Sequence, residues 1–279
     1  MTSSETLRFD DLKPYLLRKN GNFLYKVPFR GGWAVLKIYY GSRGTVANLR
    51  KSVGNMLLHG QTSYMPKTRC RIERECLELW AKHGFRTFRI YDGVAVEHPD
   101  AKPGGWLLLE YVDAPKLVKY LPDASVPLDG RFATYRRFLT EWSRRHELAI
   151  ELREPKLVHE NGDGKHVMIL PDGFLWFDFE MVYRSRRAVA SHVSREIINF
   201  MWNLMKALPR DLHERFLDET IAGYPVRERL VGAYDFLYRN SNVFIRLGRA
   251  IDRALYKRAR KPSSKYNVIR RLMERLPHE

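Results

Sequence analysis

The sequence predicts an α+β chain in two lobes, a small β-rich one followed by a larger helical one. Three observations carry this expectation. Turn residues and β-branched or aromatic runs crowd the first third, with one long helix inserted among them. Helical periodicity takes over from Phe132, and a loop with a tight hairpin opens the main helical run. The chain has 279 residues, 44% of them hydrophobic, enough for one large domain or two closely packed lobes. The expected divisions are 1–112 for the first lobe, 113–240 for the second and 241–279 for a basic amphipathic C-terminal segment.

Each element has a local reason. Tyr15–Arg18 and Phe23–Pro28 flank Lys19-Asn20-Gly21-Asn22, whose Asn-Gly pair favours a hairpin turn. Arg30-Gly31-Gly32 turns the chain into Trp33–Tyr40, a β-branched and aromatic run, and Val46, Leu49, Val53, Met56 and Leu57 then follow helical spacing. A helix is expected over Arg69–His83, where Ile72, Cys76, Leu79 and Trp80 share one face, and Gly84 ends it. Strands around Arg89–Glu97 and at Trp106–Val112 are joined by the proline-bearing loop His98–Gly105. Phe132, Tyr135, Phe138, Leu139, Trp142 and Ala149 mark one face of the next helix. The loop Glu154–Lys165 leads into a hairpin, Val167–Leu170 and Phe174–Asp178, joined by Pro171-Asp172-Gly173. The rest is helical, with Ile197, Ile198, Phe200, Met201, Leu204 and Met205 as a broad apolar stripe.

Composition narrows the class further. No stretch reaches the roughly 18 uninterrupted apolar residues of a membrane-spanning helix, and Met1 to Leu17 lacks the pattern of a secretory signal, so a cytoplasmic protein is expected. Cys70 and Cys76 would lie about 9 Å apart along a helix and roughly 120° apart around it, which suits free buried thiols rather than a disulfide or metal set. The net charge of +17 attracts polyanions, and Ser241–Glu279 holds eleven Lys or Arg against three Asp or Glu. Phe244, Leu247, Ile251 and Leu255 form one helical face there, with Arg246, Arg249, Arg253 and Lys257 around the rest. That pattern suits either an anionic bilayer or a helix packed on the domain with its charges solvated. No nucleic-acid module is recognisable, so nucleic acid is not an expected partner.

Four features carry chemistry. Alternation on Ala34-Val35-Leu36-Lys37 sets the Lys37 ammonium on the same strand face as Trp33, Val35 and Tyr39. Glu75, three residues after Ile72 and four before Leu79, is expected on the inward helix face, where a carboxylate needs a cation such as Lys37. Trp106–Val112 is an apolar strand running into Glu110-Tyr111-Val112. Finally, His159 leads a loop through Asn161, Asp163 and His166 into the hairpin that ends at Asp178, a hard oxygen ligand suited to the Mg²⁺ of bound ATP.

In this order the features resemble a bilobal protein-kinase-like fold, and most closely the lipopolysaccharide-core sugar kinases. The resemblance spans about Phe23 to Asn199. Lys37 matches the phosphate-binding lysine, Arg74-Glu75 the Arg-Glu pair of the next helix, and Asp178 the metal-binding Asp, here followed by Phe-Glu. Backbone groups near Glu110 and Val112 would bind adenine. His159 matches the leading His of the catalytic loop, and His166 the trailing His beside the metal. Asn161 stands where the family has the catalytic Asp, and Gly21, Gly31 and Gly32 do not form the spaced glycine motif of protein kinases. Three alternatives follow for the loop: Asn161 orients the acceptor hydroxyl, Asp163 or Glu160 reaches it, or the chain is a pseudokinase serving as a scaffold. The resemblance implies ATP and Mg²⁺ as cofactors. It implies a lipopolysaccharide core glycolipid as acceptor, with another small molecule or a protein as the alternative. It also implies a peripheral place on the inner face of the inner membrane.

Overall fold

The computed structural model describes residues 5–19, 21–40, 52, 60–240 and 242–276. These fall into two compact units: residues 1–113 with 175–184, and residues 114–174 with 185–279. A ten-residue stretch after the hairpin belongs to the first unit, and the C-terminal segment belongs to the second rather than standing apart. The helical spacing from Val46 to Leu57 lies outside the described residues, apart from Ser52.

In the first unit, β1 (Glu5–Arg8) pairs in parallel with β5 (Val94–Glu97). A second sheet has the order β2 (Leu16–Lys19), β3 (Asn22–Phe29), β4 (Gly32–Tyr39), β6 (Trp106–Glu110). The β3–β4 turn follows from its register. Phe29 faces Gly32, so only Arg30 and Gly31 connect the strands, both at positive φ, 48° and 75°. Two positive φ values give the turn whose twist matches the strands it joins. One face of β3 and β4 buries Tyr25, Val27, Phe29, Ala34, Leu36 and Ile38 against Leu108, so alternation sends Lys37 to the other face. The expected strand Arg89–Glu97 is shorter than its composition suggests. Gly93 at φ 73° interrupts it, leaving β5 from Val94 and only an isolated bridge from Ile90 to Leu109.

Helix α1 (Pro66–Lys82) begins with Pro at its first turn, where the missing N–H costs nothing, and stops before Gly84 at φ 74°. Its buried face is Arg69, Cys70, Ile72, Glu73, Cys76, Leu77 and Trp80. Cys70 and Cys76 are free thiols, and burial followed by the Glu73 charge pushes Cys70 up to about 11.

In the second unit, α2 (Leu117–Tyr120) precedes the long α3 (Leu128–Glu151), which buries Phe132, Tyr135, Phe138, Leu139, Trp142 and Ala149 on one face. Phe138 stacks on Trp142 and on Phe200 of α4 (Val189–Ala207), giving the unit an aromatic centre. β7 (Val167–Leu170) pairs with β8 (Gly173–Trp176), where the chain passes back toward the first unit. Then follow α5 (His213–Gly223), α6 (Arg227–Tyr238), α7 (Val243–Leu255) and α8 (Lys265–Met273). α8 buries Tyr266, Val268, Ile269 and Leu272.

α7 corrects an expectation about its charges. Arg249 and Arg253 do not ring an outward face. Arg249 lies over Phe236 at 4.4 Å, and Arg253 lies over Tyr238 and Tyr266 at 4.7 and 5.4 Å. No helix among the described residues is long and apolar enough to cross a membrane.

Candidate active site

The first unit assembles a charged cluster around Lys37. Its Nζ lies 2.5 Å from Glu73 Oε2, 2.9 Å from Glu180 Oε1 and 3.7 Å from Asp178 Oδ1. Tyr39, two residues along the same strand face, donates to Glu73 Oε2 at 2.6 Å. Arg69, one turn before Glu73 on α1, meets Glu180 Oε2 at 3.0 Å, donates to Asn22 Oδ1, and reaches the carbonyl of Gly21 at 3.0 Å. Asn22 in turn donates to Glu180. The helix thus holds the β2–β3 turn through Arg69, in a chain that lacks the spaced glycine motif there.

Glu73, not Glu75, is the partner of Lys37. The inward face of α1 is centred on Arg69, Glu73, Cys76 and Trp80, which recur at helical spacing, and the Glu73 side chain is 2% exposed. Glu75 lies off that face, 36% exposed, with Arg71 one turn back at 3.7 Å. The spacing that points Glu75 inward leans on Leu79, which is only half-buried, whereas the buried stripe runs through Arg69, Glu73, Cys76 and Trp80.

Charge decides what this cluster can do. Two cations, Lys37 and Arg69, face three carboxylates, Glu73, Asp178 and Glu180, so the formal balance favours one further cation. Burial lowers the affinity of Lys37 for its proton, but Glu180, Glu73 and Asp178 outweigh it and hold the ammonium charged well above its ordinary range. Burial also raises Glu73, and Lys37 opposes that rise.

Asp178 is the most exposed of the three carboxylates and sits two residues beyond the end of β8 rather than at a strand end as expected. Its φ of 75° places a non-glycine residue in the left-handed region. Such backbone conformations gather at functional sites, where surrounding structure holds them. Among the described residues no set of three or more His, Cys, Asp or Glu could hold a metal by itself. Nucleotide-borne Mg²⁺ asks for less, one or two carboxylates with phosphate oxygens and water completing the shell, so Asp178 with its surplus negative charge fits that ion.

Of the two expected adenine-binding positions, Glu110 closes β6. Its N–H bonds Arg89 O at 2.9 Å, and its carboxylate pairs with Arg86 at 2.7 and 2.8 Å. Val112 lies just past the strand and is half-buried.

The second unit builds a rigid loop. Glu196 on α4 is fully buried, and its Oε2 accepts the backbone N–H of His159 at 2.8 Å. Its Oε1 accepts from Trp142 Nε1 at 2.9 Å, Arg145 forms an ion pair with it, and His146 Nε2 lies 3.4 Å away. Burial opposes the Glu196 charge, but Arg145 and His146 outweigh it and hold the carboxyl well below the usual carboxylate range. Arg145 also donates to Leu157 O at 2.7 Å, so both flanks of the loop's entry are tied down. Gly162 is required here, because a Cβ would stand 2.3 Å from Glu196 Cγ.

Within this loop His166 Nδ1 lies 3.1 Å from Asn161 O, and its ring stacks on His159 at 5.3 Å. One nitrogen of the expected metal ligand is therefore committed to the loop's own backbone. Asp163 caps a short 3₁₀ turn, accepting from Lys165 N at 3.1 Å, with the Lys165 ammonium at 3.4 Å. Asn161 is exposed. Sequence reasoning missed Glu73, Arg69 and Glu180 in the first unit and Glu196 and Arg145 in the second. A usable signal existed for Glu196, a lone carboxylate amid the apolar stripe of α4, since a buried charge demands partners.

No protein-family model matches the chain, and no curated protein matches it. Two solved structures are similar at low identity. WaaP in complex with acyl carrier protein aligns at 14% identity and a TM-score of 0.43, over 86% of this chain and 88% of that one. The Rio2 kinase–ADP/Mg²⁺–phosphoaspartate complex from Chaetomium thermophilum aligns at 15% identity and 0.40, over 93% of this chain and 70% of that one. The chain's own order runs a hairpin, a lysine strand, a helix whose carboxylate meets that lysine, and an Asp after a later hairpin.

Proposed function

We propose that this chain is an ATP-dependent kinase that phosphorylates a sugar hydroxyl of the lipopolysaccharide inner core. The observation that carries the reading is the buried Lys37–Glu73 pair with Asp178 beside it in a left-handed conformation. Lys37 would hold the α- and β-phosphates, with Glu73 and Glu180 keeping the ammonium charged and oriented. Asp178 would hold Mg²⁺, which neutralises charge on the β- and γ-phosphates. Backbone groups near Glu110 and Val112 would take adenine. The acceptor follows from the resemblance of the His159–His166 loop to that of core-sugar kinases, and it implies work at the inner face of the inner membrane.

In the reaction the acceptor oxygen attacks the γ-phosphorus, the bond to the β–γ bridging oxygen breaks, and ADP leaves. The amide of Asn161 can accept a hydrogen bond from the hydroxyl but cannot take its proton. A loose transition state has little bond to the incoming oxygen, so the proton can pass late to a phosphoryl oxygen, and orientation by Asn161 supplies the remaining need. The capping role of Asp163 leaves Asn161 as the better placed of the two for that task.

The same loop favours one second reading, a pseudokinase scaffold, because no carboxylate occupies the position of the base. The experiment is ADP formation from ATP–Mg²⁺ with a core glycolipid and a panel of other sugar and protein acceptors. Wild-type protein should turn over, and Asp178→Ala should abolish turnover. A wild type that forms no ADP with any acceptor sinks the kinase, and an Mg²⁺–ATP thermal shift then separates a nucleotide-binding pseudokinase from one without nucleotide.

A further inference from the structure

α7 presents its two faces the wrong way round for a helix packed on a soluble domain. Phe244 is 85% exposed, Leu247 57%, Ile251 45% and Leu255 72%, and the helix buries no residue. The side toward the domain carries the charges instead, with Arg249 and Arg253 stacked on aromatic rings and Asp252 accepting from Tyr266 at 2.7 Å. An ordinary surface helix buries its apolar stripe and solvates its cations. Here the cations hold the helix down and the apolar ridge is offered outward.

The ridge is held by an ordered base. Asn242 caps the helix by accepting from Phe244 and Ile245 at 3.0 and 3.3 Å, and α8 behind it is buried in the unit. Exposed cations on the helix and just past its end are Arg246, Lys257, Arg260 and Lys261. We propose that this ridge docks the protein on an anionic lipid bilayer, with Phe244, Leu247, Ile251 and Leu255 entering the headgroup–acyl boundary and those four cations meeting lipid phosphates. Charge complementarity selects this occupant. Ser241–Glu279 carries eleven Lys or Arg against three Asp or Glu, which draws the segment to an anionic surface and repels a second copy of itself. A convex single-helix ridge also needs no shaped groove when the partner is a lipid surface.

The proposal stands apart from the phosphotransfer reading, since it uses none of the Lys37 cluster. It is tested by sedimenting the full chain with vesicles of phosphatidylcholine alone and of phosphatidylcholine with phosphatidylglycerol. Binding is expected to the anionic vesicles, to fall as salt rises, and to persist in Lys37→Ala. The double substitution Leu247→Glu with Ile251→Glu should weaken it roughly 100-fold while leaving the thermal midpoint at the wild-type value. Should that variant lose its fold, Arg246→Glu with Lys257→Glu makes the same comparison through charge. Wild-type protein that ignores anionic vesicles, or variants that bind them as well as wild type, would overturn the proposal. So would a wild-type dimer that becomes monomeric in Leu247→Glu with Ile251→Glu without vesicle binding, which would assign the ridge to a second copy.

Discussion

Lys37 stays charged in a nearly dry place because three carboxylates surround it. Removing one of them has a graded cost. Glu73→Gln leaves the ammonium with Glu180 and Asp178 but breaks a buried charged hydrogen bond, so a loss of about 1–3 kcal/mol is expected together with loss of any Mg²⁺–ATP thermal shift. Glu75→Gln should stay within about 0.5 kcal/mol of wild type, as an exposed helix position does. Chemical denaturation of the two variants checks the pairing, and equal effects would restore Glu75 to the site. At this scale the sequence made Lys37 and Asp178 visible, because strand alternation and a hairpin end mark their positions. Glu73 was harder to find. Neighbouring carboxylates on one helix differ by only 100° per residue, and the correct face depends on whether Leu79 points inward beside Trp80.

At the scale of elements, α4 acts on the loop through one side chain. Glu196 joins the loop backbone at His159 to Arg145, Trp142 and His146, all from α3. Its pKa in the folded chain lies below the unfolded value of about 4.3, so its stabilisation is complete above roughly pH 5 and is lost as pH falls through 4 toward the folded value. Glu196→Gln should therefore cost about 3–5 kcal/mol at pH 7, where Arg145 is left buried without a counter-charge. That gap should narrow as pH drops below about 4. Unfolding midpoints from pH 7 to 3 for both proteins give the readout, and a gap independent of pH would mean that Glu196 is not ionised in the fold. The elements themselves were largely legible, because long helices with apolar stripes and glycine-bearing turns are set locally. The orientation of α7 was not. Its amphipathic pattern is plain in sequence, but which face meets the domain depends on Phe236, Tyr238 and Tyr266 supplying aromatic seats for arginines.

For the whole molecule, the division into units is where pattern reading was weakest, since it depends on which distant segments pack together. The basic C-terminal stretch is set apart by its charge in the sequence, and α8 buries Val268, Ile269 and Leu272 in the second unit. At about 1.5–3 kcal/mol each, those three side chains supply on the order of 5–9 kcal/mol, against a total stability of about 5–15 kcal/mol for a typical domain. A chain ending at Asn240 should consequently unfold at a much lower thermal midpoint by circular dichroism, and an unchanged midpoint would make the segment an appendage after all. The first unit has the converse property of being interrupted: its last ten residues, 175–184, follow the whole of residues 114–174 in the chain. During synthesis at roughly 5–20 residues per second, the β-rich unit therefore waits roughly 5–21 s between the appearance of Glu73, with Lys37 already made, and the arrival of Asp178 and Glu180. For that interval the nascent chain carries a buried-site lysine lacking two of its three counter-charges.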